Sequence, residues 1–282
     1  MKLLRVGLGL TCLMALPLSV QAQNNTPATA SIYQTNQGWI NVSVGAAPNT
    51  ERWYRYGVVA GRSYCAEGAA EVTPTATGPS SYDGETSVFR ADGTTLIGRA
   101  NDAITEPGSS DTGGVAVPPN PGRVCYVAPA TEVNFIRVGN VGLGATPTAY
   151  QWRVVETTQF CPWFFSGSGF EAFILIRNTT STGVSATVTL RDPAGVVLGT
   201  QTGTVPANGS FNLQVSAPPP VGFGLASASG NVTIAYGPTV GGNINGVSSG
   251  APGALIANVT SLSFGQGVSF DTPAGPRQDW TR

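Results

Sequence analysis

Ser87-Val88-Phe89-Arg90 and Thr95-Leu96-Ile97-Gly98-Arg99 are two short runs suited to a pleated strand, and Ala91-Asp92-Gly93-Thr94 stands between them. Asp-Gly between two such runs is a strong hairpin signal, because those residues accept the positive φ of a tight reversal. The same pattern repeats outward from this hairpin. Before it stand strand-like runs at 39–44, 51–59 and 63–67, and after it at 123–128, 133–138 and 150–155. Several alternate apolar and polar residues, so one face packs inward and the other meets solvent. A second series follows at 171–178, 184–191, 196–199, 210–215 and 230–236, with one more run at 254–264. Short strands at close spacing with turn residues between them predict an all-β protein of two β-sandwich domains.

Composition agrees. Only 10% of residues are charged and 41% are hydrophobic, whereas disordered chains combine low hydrophobicity with high charge. The chain opens with Met1-Lys2-Leu3-Leu4-Arg5, runs apolar to Leu16, and carries small residues at Val20 and Ala22. That order predicts a signal peptide over residues 1–22, cleaved before Gln23. The apolar run is shorter than the roughly 20 residues that span a bilayer. No later stretch is long and apolar enough for a membrane helix, so the expectation is release to the periplasm or the exterior with no stable membrane insertion. Cleavage removes Lys2 and Arg5 and leaves 12 basic against 15 acidic side chains. Weak acidity without a basic stripe argues against a nucleic-acid partner.

Three cysteines remain: Cys65, Cys125 and Cys161. In an oxidising compartment two should pair. Cys65 and Cys125 each sit in a strand-like run and are the favoured disulfide. Cys161 is then the odd thiol, free, buried or bridging to a partner.

The order of pieces in residues 51–156 resembles the bacterial pre-peptidase C-terminal domain, a small jelly-roll-like sandwich. The likeness rests on Trp53-Tyr54-Arg55-Tyr56, the hairpin from Val88 to Ile97, Cys125-Tyr126-Val127-Ala128-Pro129-Ala130 leading into Phe135-Ile136-Arg137-Val138, and the closing Ala149-Tyr150-Gln151-Trp152-Arg153-Val154. It implies an accessory module. The later series, with its Asp192-Pro193-Ala194-Gly195 turn and the connection from Pro206 to Ser210, resembles the immunoglobulin-like modules of bacterial secreted proteins. The expected organisation is a polar arm at 23–36, the jelly-roll-like sandwich at 37–157, the immunoglobulin-like sandwich at 158–276 and a polar tail at 277–282. Thr157-Thr158-Gln159 is expected to be the linker.

The chain has no histidine. A Ser-His-Asp triad, a Cys-His pair and the common zinc sites all need imidazole. Gly246-Val247-Ser248-Ser249-Gly250 matches a nucleophile elbow by letter, but Pro252 and Gly253 spoil the helix that must follow. Asp111-Thr112-Gly113 matches the aspartic-protease triplet in a single copy, where two aspartates must share a proton. The expectation is therefore a protein that is not an enzyme.

Two sets of binding residues remain. Asp92, Asp102, Glu106 and Asp111 cluster along one loop region and form a candidate calcium set, calcium preferring several carboxylate oxygens on adaptable loops. The alternative is solvated acids at turns. Among the tryptophans, Trp53 and Trp152 lie in strand patterns and read as core. Trp163 and Trp280 are the candidates for a ligand surface or an interdomain wedge. The leading expectation is a secreted, non-catalytic protein that binds or displays on a polysaccharide, matrix or cell surface. One alternative is a self-assembling structural subunit using the 23–36 arm or Cys161. Another is a hydrolase built on two carboxylates about 5–10 Å apart.

Overall fold

The computed structural model describes residues 24–44, 51–69, 84–101, 123–140, 148–237 and 250–277. The expected signal peptide, Asp102, Glu106, Asp111 and Trp280 lie outside them.

The first half supplies β1 (Ser31–Ile32), β2 (Ile40–Val44), β3 (Glu51–Val58), β4 (Ser63–Ala69), β5 (Gly84–Phe89), β6 (Leu96–Asn101), β7 (Arg123–Val127), β8 (Glu132–Asn140) and β9 (Thr148–Glu156). They form two facing sheets, β1-β3-β8-β5-β6 and β2-β9-β4-β7. Between them lie Tyr56, Val88, Ile136 and Val138 from one sheet and Tyr64, Ala66, Tyr126, Trp152 and Val154 from the other. Buried hydroxyls need partners. The Tyr56 and Tyr126 hydroxyls share a hydrogen bond of 2.9 Å, and Asn134 Nδ2 donates to the Tyr126 hydroxyl at 2.6 Å.

The second half supplies β10 (Gln159–Ser166), β11 (Glu171–Asn178), β12 (Val184–Arg191), β13 (Val197–Val205), β14 (Ser210–Gln214), β15 (Ala228–Tyr236), β16 (Leu255–Ser263) and β17 (Val268–Pro276). Their order is β13-β12-β15-β10-β17-β16-β11-β14. β10 and β17 pair only where Gln159 and Phe160 meet Pro276 and Gly275. The sheet turns a corner there, so β13-β12-β15-β10 faces β17-β16-β11-β14. Strict alternation along β11 and β12 buries Ala172, Ile174 and Ile176 against Ala186, Val188 and Leu190. The fold is all-β, a pair of sandwiches.

The Asp92-Gly93 hairpin forms from β5 and β6, with the reversal at residues 90–95. Arg90 N–H donates to Thr95 O at 2.8 Å and Gly93, at φ 68°, donates to Arg90 O at 2.9 Å.

One expectation needs correction. Residues 24–36 of the expected polar arm are packed onto the first sandwich. β1 pairs in parallel with β3, and Asn24 and Trp53 are tied by two hydrogen bonds. Tyr33 is buried between the sheets, its hydroxyl donating to Gly38 O at 2.7 Å and accepting the Val154 N–H at 3.2 Å. Residues 268–276 are a strand, although Pro273, Gly275 and Pro276 argue locally against one. Pro273 is tolerated because β17 is bonded mostly on one side. Thr157 and Thr158, expected as a linker, are the two residues that join β9 to β10. Both are buried, Thr157 N–H donating to Ser63 O and the Thr158 hydroxyl accepting the Ser63 N–H, each at 2.8 Å.

Candidate binding surfaces

Trp163 reaches the surface because β10 bulges. Cys161 faces Val232 of β15 and Phe164 faces Gly230, so Pro162 and Trp163 together oppose one residue. Proline has no N–H to give to a ladder, and a bulge is where a strand tolerates it. The extra residue keeps both Cys161 and Phe164 inward and sends Trp163 outward. β10 then reverses through Ser168-Gly169, at φ 53° and 86°, with Gly167 and Phe170 exchanging both backbone hydrogen bonds. Two positive φ values in a two-residue loop match the right-handed twist of the flanking strands.

That turn sets Phe170 beside Phe165, with centroids 5.7 Å apart. Phe270 of β17 closes the group, 5.9 Å from Phe170 and 6.2 Å, edge-on, from Trp163. Trp163 and Phe165 are parallel within 6° at 6.3 Å. Trp163 is 41% exposed and Phe270 50%. Val268 and Phe264 extend exposed apolar surface along the β16–β17 hairpin. Beyond its two-residue pairing with β10, β17 is bonded among the described residues to β16 alone, so its Val268–Ala274 stretch presents an open edge to this group. The ring partners of Trp163 all come from the second half, which places it on a surface of that sandwich.

Cys161 lies beneath, its thiol 3.1 Å from Trp163 O and 3.6 Å from Thr272 O. Burial pushes the thiol up from its ordinary value, and the Trp163 carbonyl contact offsets only part of that. Cys65 and Cys125 stand directly opposite in β4 and β7 and are joined as a disulfide.

A second exposed tryptophan, Trp39, lies on the first half. The Arg153 guanidinium sits 4.3 Å from its ring centroid. Glu67, between β9 and β7, is held by Arg153 and Arg123.

The described acids are largely committed to their own chain. Asp92 Oδ1 accepts the N–H groups of Thr94 and Thr95 at 2.8 and 2.7 Å, and Oδ2 accepts the Thr95 hydroxyl at 2.5 Å. Those hydrogen bonds hold its carboxyl well below the usual range. It caps a turn, and the other members of the candidate calcium set lie outside the described residues. Among the described residues no three His, Cys, Asp or Glu side chains converge on a metal-sized point. Glu132 is gripped by Arg90 through two nitrogens, and Glu156 lies between Arg62 and Arg277.

Sequence reasoning singled out Trp163 but missed its neighbours. Gly167-Ser168-Gly169 was the available signal for the turn that delivers Phe170. Phe270 had none, because β17 was not read as a strand.

No family model matches the chain, and no curated protein matches it. Among solved structures, the full extracellular region of zebrafish Gpr126/Adgrg6 is similar over 87% of this chain, at 10% identity and a TM-score of 0.25. The chain spans 33% of that structure's length.

Proposed function

We propose that this chain is a secreted, non-catalytic binding protein that attaches to a polysaccharide, matrix or cell surface through the Trp163–Phe165–Phe170–Phe270 group. The observation that carries this reading is a set of four rings, two of them exposed, fixed on paired strands and a tight turn. Large aromatics left in solvent on a rigid scaffold are what recognition surfaces use, since little side-chain entropy remains to be lost on contact. The Cys65–Cys125 disulfide supports an oxidising compartment. The resemblances to the pre-peptidase C-terminal domain and to immunoglobulin-like modules support an accessory role. Retention of the mature chain on insoluble glycans and whole cells tests the proposal. Trp163→Ala with Phe270→Ala should abolish retention while leaving the far-ultraviolet circular dichroism unchanged. Undiminished retention by the folded double variant would sink it.

A second reading, self-assembly, is favoured by the open edge of β17 beside exposed Val268 and Phe270. Unpaired edges with apolar side chains recruit further strands. It does not draw on residues 24–36 or on Cys161, both held within the chain. Mass by light scattering that grows with concentration, and falls back on Phe270→Lys, would put this reading first.

A further inference from the structure

On the outer face of β2-β9-β4-β7 a row of polar and aromatic side chains stands apart from the surface just described. Tyr64, Ala66, Trp152 and Val154 of β4 and β9 point into the core, so Glu67, Gln151 and Arg153 project the other way. In register, Glu67 has Arg153 on one side and Arg123 on the other. Arg123 Nε donates to Glu67 Oε2 at 2.8 Å and Arg153 Nε to Oε1 at 2.6 Å. Arg153 lies in turn over one face of the indole of Trp39, a residue 40% exposed. One pleat along, Gln151 Nε2 donates to Asn41 Oδ1 at 3.0 Å, both side chains exposed.

Donors on this face are left over. Both terminal nitrogens of Arg123 and Nη1 of Arg153 have no partner among the described residues. Two guanidinium groups against one carboxylate leave a local charge of +1 on a chain that is acidic overall. A planar guanidinium edge matches a carboxylate, and an indole face takes the C–H face of a ring. The Asn41–Gln151 pair offers donors and acceptors suited to hydroxyls.

We propose that this face binds an acidic polysaccharide, with a uronate carboxylate on Arg123 and Arg153 and a sugar ring on Trp39. The row crosses the strands rather than following a sheet edge, so it suits a ligand that lays rings on the face rather than an extended peptide adding as a strand. The proposal does not rest on the Trp163 surface, and its variants leave that surface intact.

Affinity electrophoresis of the full mature chain, in gels containing polygalacturonate, its methyl ester or poly-glutamate, tests it. Retardation should appear with polygalacturonate, fall at least about tenfold with the ester, and weaken with salt as exposed charge pairs do. Arg123→Gln and Trp39→Ala should each weaken it at least about fivefold. Glu67→Gln separates recognition from bracing. It removes the competing carboxylate and keeps both arginines, so binding should hold or tighten, whereas a purely structural row would lose it. Equal retardation by acid and ester, equal retardation by poly-glutamate, or loss in a folded Glu67→Gln to the level of Arg123→Gln would overturn the proposal. If Glu67→Gln fails to fold, the acid-against-ester comparison on the unaltered chain still decides.

Discussion

Arg277 Nε lies 3.2 Å from Glu156 Oε2, joining the end of β17 to the end of β9 across the seam between the two sandwiches. Arg62 reaches the other oxygen at 3.3 Å. The Arg277 contact is an ion pair that is not aligned as a hydrogen bond, and the Glu156 carboxylate is almost wholly buried. Burial raises this carboxyl above its ordinary value, and Arg62 and Arg277 offset only part of the rise. A carboxyl raised on folding contributes stability below its unfolded value, and that contribution is lost as pH rises through the folded value. Removing Arg277 leaves the ionised form less compensated. Arg277→Ala should therefore lower Tm by about 2 °C or more at pH 7 and by much less at pH 4, where Glu156 carries its proton. Thermal unfolding by circular dichroism at the two pH values checks this. An equal loss at both would remove Glu156 from the account.

Gly250 packs against the disulfide from across the same seam. A Cβ on it would sit 2.4 Å from the Cys125 Cβ, an atom held by the bond to Cys65. The clash must be relieved by moving one sandwich away from the other. Gly250→Ala should cost about 1–3 kcal/mol, the range for overpacking a close contact. It should also speed proteolytic cleavage near residues 156–160. Gly265→Ala, with open space around its added carbon, serves as the control and should stay within about 0.5 kcal/mol of the parent.

Asp92 behaves oppositely to Glu156 in pH. Its carboxyl is lowered on folding by hydrogen bonds from Thr95 and Thr94, so its contribution is present above the unfolded value of 3.8 and lost as pH falls through the folded value. Asp92→Ala should lower Tm at pH 7, with the gap to the parent narrowing as the solution is taken below pH 3. Because that carboxylate is committed to its turn, the loss should be the same in calcium and in chelator. A calcium-dependent gap would return Asp92 to a metal site.

The strands were legible where alternation is local. β11 and β12 bury every second residue, and the Asp-Gly signal found the β5–β6 hairpin. β1 and β17 were not, for a shared reason. Two residues of parallel pairing carry no periodicity, and Pro273 reads as a breaker until the strand is known to be bonded mostly on one side. The sites divide similarly. Trp163 stands out in the sequence, but its ring partner Phe270 comes from another strand. Glu67 meets Arg123 and Arg153 at sequence separations of 56 and 86. Contacts that far apart are set by sheet register, which no window of sequence contains.

The cysteines give the remaining prediction. Cys161 is 1% exposed with a thiol raised by burial, so the thiolate that attacks disulfide reagents is scarce as well as covered. Ellman's reagent should label it slowly in the native chain and at once in denaturant. Cys65 and Cys125 close a loop with a sequence separation of 60, and replacing both with alanine should cost about 4 kcal/mol in the chain-entropy account. Reductant should then lower Tm while leaving the mass by light scattering unchanged, since the bond it breaks lies within one chain. A mass that halves on reduction would mean that Cys161 bridges two copies, which requires the bulge at Pro162–Trp163 to open and the aromatic surface to come apart.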